Sequence, residues 1–455
     1  MRADPLLETI ASYVVEEKIT SPLAYKTARL CFADAIGCAI AALQVPSCQK
    51  LIGPVIAGTI VPKGARVVGT SFVLDPIRAA FTFGTMVRWL DFNDTWLAAE
   101  WGHPSDNLGA LLPLADWQCR NGKDVRMQQL FHWQIKAYEI QGVLALSNSF
   151  NSLGFDHVIL VKIACAAVCT AMLGGSKEQV IDALSHALLD TGPLRAYRHA
   201  PCTGSRKSWA AGDAAARGLE LAWRVMQGEM GYPQVLSAPL WGFEAVIGPL
   251  TLSRELSSYV IENILFKAAF PAEFHAQTAV EAAIRLQREI AGKEIAKVEI
   301  ATHAAALRII DKKGALHNPA DRDHCLQYMI AIGLLYGDLQ ALHYEEEAAA
   351  NPQIDQLRKK MEVKEDPRYS TEYLQEDKRS IANRITVTLE NGQVLGPVEI
   401  EYPLGHRRRR EESAPFLFAK LQNNLGNKEL ATLLLDQTGI EEWTVGELME
   451  KFASG

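Results

Sequence analysis

The chain has 455 residues and a formal net charge of −7 at pH 7. Hydrophobic residues (48%) and charged residues (22%) occur in the proportions of a folded globular protein, which argues against a disordered chain. The acidic balance gives no general electrostatic attraction to nucleic acid or to anionic membranes. At this length we expect two domains.

The N-terminal stretch carries acids where a signal peptide would need an unbroken apolar core. The longest apolar run, residues 158–173, contains Lys162 and is shorter than the ~20 residues that cross a bilayer. We interpret it as a buried core helix. The sequence therefore predicts a cytoplasmic protein with no membrane partner.

Most of the first 265 residues are predicted to be helical, because apolar residues recur at three- and four-residue spacing. The predicted helices, which break at proline, glycine or polar clusters, are residues 6–17, 22–44, 76–90, 107–120, 125–149, 158–173, 177–190 and 208–228. They follow no regular period, so the sequence does not indicate a repeat protein.

The pattern changes after Lys267. The predicted strands are residues 297–303, 384–390 and 394–402, and the predicted helices are residues 277–291, 322–337, 414–424, 428–437 and 445–452. A turn at Asn391-Gly392 joins the last two strands as a hairpin. The predicted fold is mostly α, with a large all-helical domain (1–267 plus 405–455) and a smaller inserted α+β domain (268–404). A ligand cleft is expected where the two meet.

Residues 88–107 form the densest polar stretch, directly after a predicted helix. Its acids, hydroxyl and histidine are Asp91, Asp94, Thr95, Glu100, His103 and Asp106. Such a set on a loop beside a rigid helix can move protons on a small molecule. The alternative is a helix end capped by aspartate and threonine, with three tryptophans packing the loop.

A basic turn, residues 195–208, precedes the next predicted helix. Its cationic and imidazole side chains are Arg195, Arg198, His199, Arg206 and Lys207. Amides at a helix start together with lysine and arginine suit an anion, and the spacing of a nucleotide-binding phosphate loop is missing. We therefore predict a carboxylate ligand. A solvated basic turn is the alternative.

Three further groups of side chains are candidates for a functional role. His157 immediately precedes the most apolar helix, where a lone histidine is more often structural than catalytic. Lys267 and His275 lie at the predicted domain junction, where a ligand or an ion pair would use them. The run Arg407–Arg410 is followed by acids, which favours ion pairs over a nucleic-acid surface.

The eight cysteines include no Cys-x-x-Cys pair. Their wide scatter does not indicate a disulfide scaffold, and Cys165 and Cys169 are predicted to be small buried hydrophobes. This absence also weakens any iron–sulfur interpretation.

Blocks of sequence spread over nearly the whole chain resemble the MmgE/PrpD family. They are residues 89–107, 197–213, 229–233, 266–275, 311–314, 318–325 and 401–406. The resemblance implies a large helical domain with an α+β lid, an active site between the two and a homodimer. It also implies proton handling beside carboxylates. This chain has two more residues between Thr95 and His103 than the decarboxylase-type motif, which favours the dehydratase branch.

Site residues follow from the resemblance. It implies that Asp91, Thr95 and His103 of the first block, His157, and Tyr328 of the lid are catalytic. By the same resemblance Lys207, Lys267 and His275 bind substrate, and we add Arg206 to them.

The implied activity is the elimination of water from 2-methylcitrate, which gives 2-methyl-cis-aconitate in propionate catabolism. The predicted base is Asp91 or His157, and the predicted acid is His103 or Tyr328. No metal or other cofactor is expected. Two alternatives are a decarboxylase or isomerase on the same scaffold and a catalytically idle carboxylate-binding protein. The acid and base side chains argue against the latter.

Overall fold

Helices make up most of the computed structural model, which describes residues 2–199, 202–290, 292–436 and 438–453. In chain order they are α1 (Pro5–Glu16), α2 (Pro22–Ala42), α3 (Pro46–Gln49), α4 (Pro76–Arg88), α5 (Leu108–Arg120), α6 (Met127–Ser147), α7 (Val158–Met172), α8 (Lys177–Leu189), α9 (Arg206–Met226), α10 (Phe243–Val246), α11 (Tyr259–Glu262), α12 (Gln277–Ile290), α13 (Ala304–Ile310), α14 (Pro319–Arg322), α15 (Leu326–Tyr336), α16 (Glu346–Ala349), α17 (Pro352–Lys359), α18 (Pro367–Leu374), α19 (Arg410–Leu425), α20 (Lys428–Asp436) and α21 (Val445–Ala453). The prediction of a mostly α fold is confirmed.

Short 3-10 helices and strands complete the secondary structure. The 3-10 helices are Pro104–Asn107, Phe150–Leu153, Arg195–Arg198, Phe274–Ala276, Ala341–Tyr344, Arg407–Arg409 and Ile440–Glu442. The strands are β1 (Ala65–Arg66), β2 (Val73–Leu74), β3 (Trp96–Leu97), β4 (Trp101–Gly102), β5 (Ile295–Thr302), β6 (Met361–Glu365), β7 (Asn383–Leu389) and β8 (Val394–Ile400).

The predicted helices of the first 265 residues each correspond to an observed helix. Capping side chains explain where two of these helices begin. The Asp75 side chain accepts hydrogen bonds from the first amides of α4, and Ser176 forms a capping box with Gln179, the third residue of α8. Residues 291 and 437, the predicted last residues of two helices, lie outside the described residues.

The chain divides into two compact units by its internal contacts. Unit 1 comprises Met1–Arg195, Ser208–Ile264 and Phe418–Gly455, and unit 2 comprises Ala196–Lys207 and Leu265–Leu417. The sequence predicts an all-helical large domain, but unit 1 also contains two short antiparallel strand pairs. Strand β1 pairs with β2, and β3 pairs with β4. Each strand has only two residues, too few for an alternating pattern to appear in the sequence.

The core of unit 1 is formed by closely packed helices. Nearly every side chain of α7 is buried, including the thiols of Cys165 and Cys169, as predicted for small core residues. Helices α4 and α5 also pack closely. A Cβ added at Gly84 would come within 2.8 Å of the Gly212 Cα, so two glycines allow α4 and α9 to approach.

Unit 2 contains a four-stranded sheet in the order β6-β5-β7-β8. Strands β5 and β6 are parallel, whereas β7 is antiparallel to both β5 and β8. Every second residue of β7 is buried, as its alternating sequence predicts. Strand β6 was not predicted, because none of its residues is buried and its charged side chains hide any alternation.

The arginine run of unit 2 forms ion pairs, as predicted. The Arg409 guanidinium lies 2.9 Å from Glu281 and 2.6 Å from Glu412. Among the described residues, no helix is both long and apolar enough to cross a membrane.

Candidate active site

The turn after α4 holds a buried ion pair in unit 1. Nη1 of Arg88, the last residue of α4, lies 2.5 Å from Oδ1 of Asp91, and each side chain is 2% exposed. The Asp91 backbone has a φ of 49°, in the left-handed region that non-glycine residues rarely adopt. Such strain persists only where the surroundings fix the conformation, and it is common at functional sites.

His103 lies beside Asp91 and Thr95. Its Nδ1 is 2.7 Å from the Asp94 carbonyl oxygen and 3.4 Å from the Thr95 hydroxyl, and its Nε2 is 3.6 Å from Oδ1 of Asp91. A carbonyl oxygen only accepts a hydrogen bond, so Nδ1 carries the proton. The neutral ring therefore has its lone pair on Nε2, the nitrogen that faces Asp91.

His157 is the residue before α7, and it completes this cluster. The centroids of the His157 and His103 rings are 6.0 Å apart, and Nδ1 of His157 lies 3.3 Å from Oδ1 of Asp156. Gly102 allows the His157 ring to lie close to the backbone of this loop. A Cβ at position 102 would lie 3.3 Å from Cδ2 of His157 and 2.9 Å from Nε2 of Gln141.

Two buried acids support the same loop. Asp94 accepts hydrogen bonds from the Tyr138 hydroxyl at 2.6 Å and the Ser105 amide at 3.0 Å, but burial outweighs them and raises its pKa to about 6. Burial also raises the pKa of Glu100 to about 7, against the hydrogen bonds from Asn151. Both carboxyls fix the loop through hydrogen bonds to the chain around it.

Lys207, in the first turn of α9, belongs to a buried network of unit 2. Its Nζ lies 2.5 Å from Oδ2 of Asp323, and Oδ1 of Asp323 lies 2.6 Å from Nδ1 of His324. The neighbouring Arg206 is partly exposed, and its guanidinium carbon lies 5.5 Å from the centre of the Tyr197 ring. Ala200 and Pro201 of this basic turn lie outside the described residues.

A second buried network of unit 2 is centred on Glu273. Its Oε1 lies 2.8 Å from Nδ1 of His275, whose Nε2 lies 3.2 Å from the Tyr373 hydroxyl. Burial alone would raise the pKa of Glu273, but the charges of His275, His324 and Lys267 outweigh it and lower the pKa to about 2. Lys267 interacts with Glu273 directly, and Lys207 is linked to it through His324, so both lysines belong to one cluster.

Tyr328 is held by contacts within unit 2. Its hydroxyl donates a hydrogen bond to the His343 carbonyl oxygen at 2.7 Å, and its ring stacks on that of Tyr344. Burial raises the pKa of Tyr328 to about 12, which makes the hydroxyl a poor proton donor near neutral pH.

The structure thus brings the predicted residues together in two sets. Asp91, Thr95, His103 and His157 cluster in unit 1, and Lys207, Lys267 and His275 cluster in unit 2. No site role is predicted from the sequence for Arg88, Glu273, Asp323 or His324. The adjacent acid and histidine at 323 and 324 were a visible signal, because a carboxylate commonly orients a catalytic imidazole.

Two family models match this chain. The MmgE/PrpD N-terminal domain matches residues 8–252, and the MmgE/PrpD C-terminal domain matches residues 270–429. This chain belongs to the MmgE/PrpD family. Both clusters fall within the matched ranges except for Lys267, which lies between the two.

Relatives in this family match almost the full chain. The 2-methylcitrate dehydratase of Cupriavidus necator is 52% identical over 99% of this chain and 97% of its own length. The 2-methylcitrate dehydratase of Salmonella typhimurium is 51% identical over 97% of this chain and 96% of its own. The mitochondrial 2-methylcitrate dehydratase of Yarrowia lipolytica is 53% identical over 93% of this chain and 84% of its own.

Proposed function

We propose that this chain is a hydro-lyase that eliminates water from 2-methylcitrate to give 2-methyl-cis-aconitate, in propionate catabolism. The observation that carries the proposal is the 51–53% identity to relatives named 2-methylcitrate dehydratase over at least 93% of the chain. Citrate and cis-aconitate differ from the substrate and product by one methyl group. Because a methylene-sized contact contributes only ~1–3 kcal/mol, some activity on them is part of the proposal.

The elimination needs a base for the proton on the carbon next to a carboxylate. His103 is the proposed base, because its Nδ1 proton is held by the Asp94 carbonyl and its Nε2 can accept. This differs from the acid role first expected for His103. Asp91, already paired with Arg88 at 2.5 Å, is a weaker base; 3.6 Å from Nε2, its carboxylate would stabilise the imidazolium that forms when His103 takes up the proton.

Thr95 and His157 complete the proposed catalytic set of unit 1. The Thr95 hydroxyl contacts the His103 ring, and His157 lies beside that ring with Asp156 at its Nδ1. We propose that both hydrogen-bond the substrate near the carbon that loses its proton. Tyr328 receives no proton-transfer role, because its hydroxyl is bound to His343 and its pKa is raised to about 12.

Removal of the proton places negative charge next to a carboxylate. Cations aimed at that carboxylate stabilise the transition state, since they act in a buried site with little water. Lys207 and Lys267 are proposed to hold the tricarboxylate with Arg206 and His275. Lys207 and Lys267 are each no more than 2% exposed, so the charges of their ammonium groups are weakly screened.

The remaining parts of the proposal rest on the family resemblance. Residues 268–404 act as an α+β lid on a helical domain of residues 1–267 and 405–455. The chain is a cytoplasmic homodimer that works on a small tricarboxylate, without metal or other cofactor and without nucleic-acid or membrane partners.

The test offers the metal-free protein 2-methylcitrate, citrate and cis-aconitate in separate assays. We expect ultraviolet absorbance of the conjugated alkene to appear with 2-methylcitrate, without carbon dioxide. Release of carbon dioxide from cis-aconitate would instead indicate a decarboxylase, and binding without turnover would indicate an idle binding protein. Complete loss of turnover after chelation, restored by iron, would overturn the cofactor-free mechanism.

A further inference from the structure

Asp323 joins two basic side chains within unit 2. One carboxylate oxygen lies 2.6 Å from Nδ1 of His324, and the other lies 2.5 Å from Nζ of Lys207. Lys207 is 2% exposed, and Asp323 and His324 are each 8% exposed. A lysine proposed to bind a substrate carboxylate therefore lies next to an imidazole whose orientation is fixed by an acid.

The hydrogen bond to Asp323 determines which nitrogen of His324 exchanges protons. A carboxylate accepts, so the proton shared with Asp323 is on Nδ1 of the ring. Proton release and uptake then take place at Nε2. This is the acid–imidazole arrangement in which the carboxylate orients the ring and favours the imidazolium.

We propose that His324 is the general acid of the reaction and that Asp323 is its positioning residue. This inference rests on the dehydration proposed above. In that step the base removes the proton from carbon, and the electron pair of the C–H bond forms the carbon–carbon double bond. The C–O bond breaks with its electron pair on oxygen, and Nε2–H of His324 gives that oxygen a proton, which releases water.

Charges from three separate segments face His324: two acids favour its protonated form, and one ammonium opposes it. Asp323 and Glu273 are acidic, and Lys207 is basic. Burial alone would raise the pKa of Glu273, but nearby positive charges, including that of His324, hold it at about 2, so its carboxylate stays ionised. A bound tricarboxylate adds negative charge beside the imidazole and strengthens its hold on a proton.

Other groups of unit 2 are less suited to this role. Nδ1 of His275 interacts with Glu273 and its Nε2 with the Tyr373 hydroxyl, and this ring is already assigned to the proposed substrate-binding set. Burial lowers the pKa of His303 well below its usual value, which keeps that ring neutral. Tyr328 holds its proton too tightly, with a pKa raised to about 12 by burial.

The experiment compares the full-length wild type with His324→Gln, Asp323→Asn and the exposed control His317→Gln. For His324→Gln we expect kcat to fall by ~10²–10⁴-fold, the range that general acid catalysis contributes, with KM within about threefold. The alkaline limb of the kcat–pH profile should disappear, because the proton of His324 is no longer required. The control should keep both kcat and its profile.

Asp323→Asn tests the positioning role separately. It should reduce kcat by a smaller factor and move the alkaline limb to lower pH, because the imidazolium loses its carboxylate partner. A kcat loss with an unmoved limb would assign Asp323 only a structural role.

A chemical rescue separates catalysis from folding. His324→Ala should recover turnover as imidazole is added to the assay, whereas a merely misfolded variant should not respond. Unchanged kcat in His324→Gln would overturn the inference, and so would loss of the acidic limb instead of the alkaline one. No alkene from the wild type would refute the proposed dehydration itself, which distinguishes the two failures.

Discussion

Arg88 and Asp91 form an ion pair inside unit 1, with 2.5 Å between Nη1 and Oδ1. The partners are three residues apart, and the aspartate has a left-handed backbone. The side chain of Arg88 is among the largest fully buried ones in the described part of the chain. The geometry at Asp91 therefore depends on a cation that makes no assigned contact with substrate.

Removal of the Arg88 guanidinium should lower the free energy of unfolding substantially. Arg88→Met leaves a buried carboxylate uncompensated, so we expect the free energy of unfolding to fall by about 3–5 kcal/mol at pH 7, measured by urea denaturation. The control is Arg126→Met, whose pair with Glu442 is about 60% exposed on both sides and should contribute under ~1 kcal/mol. Equal losses in the two variants would contradict the prediction.

Glu100 should make stability fall as pH rises. Its pKa is about 7 in the folded protein against a usual 4.5, so the folded state binds more protons between these values. The free energy of unfolding then decreases from about pH 4.5 to pH 7, by about 3 kcal/mol from this group.

Glu100→Gln removes this titration and keeps an acceptor for the Asn151 amide. Urea unfolding at a series of pH values should show a flatter dependence for this variant than for wild type. The exposed Glu289→Gln serves as the control and should leave the slope unchanged. A wild-type slope retained in Glu100→Gln would refute the assignment.

Lys267 should act mainly in substrate binding. Lys267→Met removes a buried ammonium and one charged contact to a carboxylate, which typically contributes 1.5–3 kcal/mol, so KM should rise roughly 10- to 100-fold. Steady-state kinetics on 2-methylcitrate provides the measurement, with the exposed Lys313→Met as a control for net charge. A loss confined to kcat would instead place Lys267 in the chemical step.

Gly102 should be sensitive to a single methyl group. In Gly102→Ala the new Cβ would crowd the His157 ring and the Gln141 amide, so both must move by a few tenths of an ångström or more. Misplacement on the ångström scale can reduce turnover by up to ~10²-fold, so we expect a lower kcat with a nearly unchanged KM. Thermal unfolding of the same sample shows whether the fold is intact. Full turnover would mean that the position of His157 is not critical.

Much of this architecture could be predicted from local sequence. Helix bounds follow from apolar spacing and from capping residues such as Asp75 and Ser176, which act within a few residues of themselves. Strand β6 could not be predicted, because it is set by parallel pairing with β5 about sixty residues earlier. Tertiary pairing of this kind leaves no periodic signal in an exposed, charged strand.

The residues of the candidate site could be predicted from the sequence better than the contacts between them. Asp91, Thr95 and His103 lie in one dense block, so their proximity was expected. The ion pair of Lys207 with Asp323 joins residues 116 positions apart and could be seen only in three dimensions. The same applies to the hydrogen bond that the Tyr328 hydroxyl donates to the backbone carbonyl of His343.

Asp323 gives Lys207 a carboxylate partner before any ligand arrives. At the proposed substrate site, an incoming carboxylate must therefore share the three N–H donors of this ammonium with a carboxylate that belongs to the protein, or displace it by exchange. A monocarboxylate such as acetate gains little from that exchange, because it offers no further anchor elsewhere. A ligand with three carboxylates would also gain from the other cations of the proposed site. Asp323 would therefore favour a tricarboxylate over small monocarboxylic acids.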